Sequence, residues 1–226
     1  MKIVLINASP RKNGATAKIL NGFAYNLSAK SDVEIANISL SDLKLDFCLG
    51  CCMCYKNGFC HIDDDADMLS ERISSADGVI IGTPTYVSNI PGQLKTFIDR
   101  GHFVIEQLLK GKYTMGVVTY ENVGGRSALN ALKKLFIFSG AKRFDKFVVK
   151  LSFNSNPIEN PRIMNAIRSK SENLYMAITK KKAPTILCAV INSFVFNFGI
   201  KPFVLKKGDQ YSGVKKHWET RSIVYE

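Results

Sequence analysis

The sequence predicts an α/β domain built on a doubly wound parallel sheet of five strands with a C-terminal helical extension. Three observations carry that prediction. Short apolar runs recur at Lys2–Asn7, Asp32–Ile38, Gly78–Gly82, Lys112–Tyr120 and Lys146–Leu151. Each of the five is followed by a polar or Gly-containing loop and then by a segment with helical periodicity. The chain contains no internal repeat, so the five βα units belong to one sheet rather than to an array.

Each element has its own reason. KIVLIN at Lys2–Asn7 is nearly continuous in apolar character, as in a central strand covered on both faces. The loop Ala8–Thr16 leads into a helix expected from about Ala17 to Lys30. A strand, a polar loop and a helix N-terminus present free N–H groups and a positive helix end to an anion. The Ser9 and Thr16 hydroxyls can add hydrogen bonds and Arg11 a charge. An ordinary βα loop capped by Ser and Thr would read the same way. Neither the Walker pattern nor G-x-G-x-x-G is present.

After the second strand come the cysteines, and then Asp63–Asp65 opens a helix to Ser74 and reads as a solvated acidic cap. GVIIG at Gly78–Gly82 runs into a loop stiffened by Pro84 and Pro91. That loop places Tyr86 at the carboxyl end of a strand, where such sheets bind ligands. In the next helix, Lys95, Asp99 and Arg100 are expected to form surface ion pairs. Gly124 and Gly125, after the fourth strand, permit close backbone approach to a ligand or a tight turn. Pro161–Lys182 supplies the fifth helix. Residues 1–182 thus form the expected main domain and 183–226 an extension for packing or oligomerisation. Ala183–Ile200 carries no formal charge. Its Asn192, Ser193, Asn197 and Gly199, and its minimal length, argue for a buried packing helix rather than a membrane span.

Five of the six cysteines lie between Cys48 and Cys60. Cys48, Cys51, Cys54 and Cys60 stand as C-x2-C-x2-C-x5-C, with Cys52 extra. The spacing is close to the run of bacterial 4Fe–4S ferredoxins. Reduced or redox-active thiols and a zinc site are the alternatives, although zinc more often uses separated pairs. His61 reads as a loop residue. A net charge of +12 comes from scattered lysines without a nucleic-acid motif, so a solvated surface accounts for it. The N-terminus shows no export signal, and a cytosolic location is expected.

Taken together, Ser9–Thr16, the cysteine loop, Gly82–Tyr86 and Lys95–Arg100 resemble, in order, the iron–sulfur flavoproteins. These belong to the flavodoxin-like group that includes the NADPH-dependent FMN reductases. The resemblance spans about residues 1–182. It implies FMN, with the phosphate held by Ser9, Arg11, Asn13, Gly14, Ala15 and Thr16. It places the ring beside Thr83, Pro84, Thr85, Tyr86 and Asn89 and the loop Tyr120, Glu121, Asn122, Gly124 and Gly125. A 4Fe–4S cluster on Cys48, Cys51, Cys54 and Cys60 is implied, as is a homodimer or homotetramer. Ferredoxin or NAD(P)H would be the electron donor, and the flavin would carry the reaction without a catalytic acid or base. A cluster-free flavin or quinone reductase and a non-enzymatic electron carrier are the other readings.

Overall fold

The computed structural model describes residues 1–152 and 154–223. Its centre is one parallel sheet of β1 (Lys2–Asn7), β2 (Glu34–Ser39), β3 (Gly78–Pro84), β4 (Tyr113–Tyr120) and β5 (Arg143–Lys150), in the order β2-β1-β3-β4-β5. This is the flavodoxin-like order, with its switch point between β1 and β3. The register pairs Ile3 with Ile35 and with Gly78, so the central strands start level.

Strand alternation sorts the core into two layers. Val4, Ile6, Val79 and Ile81 point to one face, under α3 (Ala66–Ser74), α4 (Gly92–Arg100) and α5 (Gly125–Phe138). Ile3, Leu5 and Ile80 point to the other, under α1 (Ala15–Ser28) and α6 (Pro161–Thr179). Apolar spacing on α1 explains its seat: Ile19, Leu20, Phe23 and Leu27 are all fully buried. α6 starts at Pro161 behind Asn160, whose side chain accepts from Arg162 N and Ile163 N.

Beyond α6 the chain forms one long helical stretch: α7 (Ile186–Phe194), a π-helical segment over Val195–Ile200, and α8 (Lys201–Lys206). A short turn then leads to α9 (Ser212–Thr220). Phe196, Ile200, Val204, Tyr211, Val214 and Trp218 make a third apolar cluster, against Tyr55, Val104 and Ile105. The Trp218 indole N–H donates to the Ile105 carbonyl at 2.9 Å.

Two expectations are corrected here. Ala183–Ile200 is not simply buried: its inner side contributes Cys188, Phe196 and Ile200 to the interior, while Ile186, Leu187, Val190, Phe194 and Phe198 are exposed. Arg100 is not a surface helix residue either. Lys95 pairs with Asp99 along α4, but Arg100 turns inward to Asp64, and both side chains are essentially inaccessible. Asp64 is therefore no solvated cap.

Candidate functional site

The carboxyl ends of β1, β3, β4 and β5 open into a cleft of about 360 Å³. Its floor at one end is the loop after β1. There the Asn7 side chain accepts from Ser9 N at 3.0 Å, and the Ser9 hydroxyl accepts from Arg11 N at 3.1 Å. Gly14 N closes the turn on the Arg11 carbonyl at 3.0 Å. Gly14 caps α1 without any side-chain bond, and no acidic residue lies in the first turn. The first amides of α1 thus face the cleft without an intrahelical acceptor, as an anion site requires. The Thr16 and Thr119 hydroxyls, 2.7 Å apart, tie this helix end to β4.

The opposite wall is a tight hairpin. Tyr86 and Asn89 exchange two backbone hydrogen bonds, at 2.8 and 2.9 Å. Val87 and Ser88 between them have φ of 48° and 58°, the left-handed pair that two-residue hairpin turns need. A β-branched residue seldom adopts that conformation, at a cost of roughly 1–3 kcal/mol. Gly124 lies directly against this turn: at φ 91°, a Cβ there would stand 2.5 Å from the Ser88 Cα. Only glycine lets the two loops meet. Tyr86 is 45% exposed, so its ring is available to a planar ligand rather than spent in the core.

Of the residues expected to bind a flavin, Ser9, Arg11, Gly14, Ala15, Thr16, Pro84, Thr85, Tyr86, Tyr120, Glu121 and Asn122 line the cleft. Asn13, Thr83, Asn89, Gly124 and Gly125 do not line it. Thr83 is buried and bonds the Pro84 carbonyl, while the Asn89 side chain accepts from Ile90 N. Val87, Ser88, Thr119, Val123, Leu151 and Ser152 also line the cleft and were not expected. Leu151 and Ser152 follow β5, so the rule that pointed to Tyr86 could have found them. The residues fit FMN: an open helix end for a phosphate lies across the cleft from an accessible tyrosine and two close-packed loops.

The cysteines occupy the segment between β2 and α3. Two aspartates fasten its ends together. Asp65 accepts from Lys44 N at 2.7 Å, and Asp64 from Asp46 N at 2.8 Å. Arg100 binds Asp64 and also reaches the Asp46 and Ile62 carbonyls. Burial would raise the Asp64 carboxyl, but the bonds from Arg100, Asp46 and Ala66 outweigh it and hold the group below its ordinary 3.8.

Within the loop, α2 (Met53–Asn57) begins at Cys52, at φ 59°, and ends at Gly58. The C-terminal extension grips it from above. Tyr55 stacks on Tyr211 at 4.8 Å between centroids. The Ser212 hydroxyl donates to the Lys56 carbonyl at 2.9 Å, and His217 Nε2 donates to the Gly58 carbonyl at 2.6 Å. A Cβ on Gly213 would stand 2.7 Å from the Gly58 Cα.

Cationic side chains stand beside two of the thiols, Cys54 and Cys60. Burial pulls the His102 imidazole down, yet its bonds to Cys54 and Glu106 prevail and raise it to about 10. Arg100 faces the Cys60 sulfur as well as Asp64. Cationic side chains beside Cys54 and Cys60 suit the negative charge of a thiolate-ligated cluster. The assembled geometry does not: among the described residues no group of three Cys, His, Asp or Glu side chains is arranged to hold a metal ion. The described cysteines are all free thiols, with Cys48, Cys51 and Cys52 exposed. Cys51 is 3.6 Å from His61 Nδ1.

Known proteins agree with this architecture. Residues 1–154 match the family described as NADPH-dependent FMN reductase. An iron-sulfur flavoprotein of Clostridioides difficile (strain 630) is 36% identical over 226 residues, which is 99% of this chain and 100% of the relative. The likeness therefore includes the extension after Lys182, beyond the span expected from the motifs. Among solved structures, an NADH:FMN oxidoreductase has a TM-score of 0.60 at 22% identity, over 78% of this chain and 89% of its own. A flavodoxin from the domain Archaea has a TM-score of 0.54 at 12% identity, over 79% of this chain and 99% of its own. At these identities the two structures establish the flavodoxin-like fold. With two thirds of its length under the family match and a relative alike from end to end, the chain belongs to the NADPH-dependent FMN reductase family, whose members are FMN-dependent oxidoreductases.

Proposed function

We propose that this chain binds FMN in the β1–β3–β4–β5 cleft and passes electrons from NAD(P)H or ferredoxin to an acceptor. One observation carries the placement: the uncapped N-terminus of α1 and the Tyr86 hairpin bound the same cleft. The α1 amides, Ser9, Arg11 and the Thr16 hydroxyl would hold the phosphate. Tyr86 and the Tyr120–Asn122 loop would flank the ring and exclude water from one of its faces. Bound FMN supplies hydride acceptance and single-electron release. The protein's task is to orient it. The proposed setting is the cytoplasm, and the proposed assembly a homodimer or homotetramer.

The test compares FMN with riboflavin, which lacks the phosphate. Arg11→Ala and Thr16→Val should weaken FMN binding by about tenfold each, the scale of one charge-assisted hydrogen bond, and leave riboflavin binding nearly unchanged. Equal losses for both ligands would remove the phosphate from the α1 end.

We further propose that Cys48, Cys51, Cys54 and Cys60 ligate a 4Fe–4S cluster, with Cys52 spare. Their spacing and the cationic side chains beside Cys54 and Cys60 support this assignment, and the full-length relative is named an iron-sulfur flavoprotein. Metal binding would have to draw the loop together, as it does in many small metal sites. Anaerobic reconstitution followed by iron and sulfide analysis decides the matter. Wild type and Cys52→Ala should load, and the other four Cys→Ala variants should not. The unassembled thiols favour a second reading, a cluster-free reductase; absence of iron in reconstituted wild type would establish it.

A further inference from the structure

From Ile186 to Lys206 the chain is helical without interruption, about 30 Å long at the helical rise. It is apolar enough to cross a membrane by composition, yet only 17% of its most apolar window is buried. Ile186, Leu187, Val190, Phe194 and Phe198 form the exposed side, at spacings that bring them to one stripe. The Phe194 and Phe198 rings lie 5.3 Å apart in a tilted contact, on that outer side.

The inner side is fixed. Asn192 donates to the Ala141 carbonyl at 2.9 Å, and Ile200 and Val204 pack in the cluster around Trp218. Leaving this packing to span a bilayer would expose that cluster. The helix is therefore placed to lie on a surface, not to cross one.

Charge identifies the surface. Between Glu172 and Asp209 the chain has no acidic residue, but it has Lys180, Lys181, Lys182, Lys201, Lys206 and Lys207. Lysines bracket the apolar stripe at both ends, and the Lys207 ammonium stands 5.7 Å from the centre of the Phe203 ring. A two-fold contact between copies would bring these like charges together. An anionic headgroup layer would pair them while its acyl boundary takes the phenylalanines. We propose that the outer side of Ile186–Lys206 docks the protein on anionic lipid surfaces as an interfacial helix. The inference stands apart from the flavin and cluster assignments.

Full-length protein would be sedimented with vesicles of phosphatidylcholine alone and of phosphatidylcholine mixed with phosphatidylglycerol. Binding to the mixed vesicles should be at least about tenfold tighter and should weaken as salt rises. Phe194→Glu with Phe198→Glu should abolish it, with the circular-dichroism melt and FMN affinity unchanged because both rings are exposed. Lys206→Glu with Lys207→Glu should weaken it while leaving the apolar stripe intact. Lack of binding to the mixed vesicles, or equal binding to both kinds, overturns the proposal. So does a dimer that the phenylalanine variant splits, because the stripe would then be an interface between copies.

Discussion

Arg100 offers the sharpest test of how the cysteine segment is held. Arg100→Met keeps the aliphatic length and removes the guanidinium. Asp64 would stay buried with its two backbone donors but without its counter-ion, and the Asp46 and Ile62 carbonyls would each lose a donor. Breaking a buried pair in this way costs about 3–5 kcal/mol. The segment lies at the edge of the fold, so the loss should appear first as local opening. At 1.36 kcal/mol per tenfold, amide exchange at Asp46 and Ala66 should accelerate by roughly 10²-fold or more, while the core amides of β1 and β3 change little. Adding Asp64→Asn should recover part of the protection, because no unpaired charge then remains. The acid response follows from the lowered Asp64 carboxyl. Its contribution is present above the unfolded value of 3.8 and is lost as pH falls below that value through the lower folded one. Wild type should therefore open this segment in acid before the sheet melts, and Arg100→Met should show little further acid step. Exchange within threefold of wild type at neutral pH would refute the argument.

Two further outcomes follow from the site. Tyr86→Ala should change flavin fluorescence and reduction potential with an unaltered far-ultraviolet spectrum, because the side chain is partly exposed at the cleft; an unchanged flavin signal would separate Tyr86 from the ring. Gly213→Val should push α9 off Gly58 and raise the alkylation rate of Cys54 several-fold, measured by mass spectrometry on metal-free protein; unchanged labelling would show that α9 does not restrain α2.

The strands were readable because a strand covered on both faces must be apolar throughout, and the runs at β1 and β3 are. The cleft was readable because parallel strands direct their loops to one edge, which is how Tyr86 and the Tyr120 loop could be named together. Arg100 was misread for a physical reason. Lys95, Asp99 and Arg100 suggest helix-surface pairing, and a partner 36 residues away leaves no periodic trace. The Val87–Ser88 turn was equally hidden, since neither residue is one that ordinarily marks a left-handed hairpin turn. For Ile186–Lys206, composition reported how apolar the segment is but could not say which side the fold would cover. The cysteine spacing was plain, whereas the distance between thiols depends on a backbone that nothing local fixes.

The grip of α9 on α2 joins positions that leave the ribosome far apart in time. Gly58 and His217 are separated by 159 residues, and the Ser212 contact to Lys56 by 156. All five strands are synthesised before either contact can form, so the sheet can assemble while the cysteine segment still lacks its outer restraint. During that interval α2 lacks its contacts with α9. Completion of the last helix then adds its contacts over α2, so synthesis itself orders the steps: sheet first, clasp last.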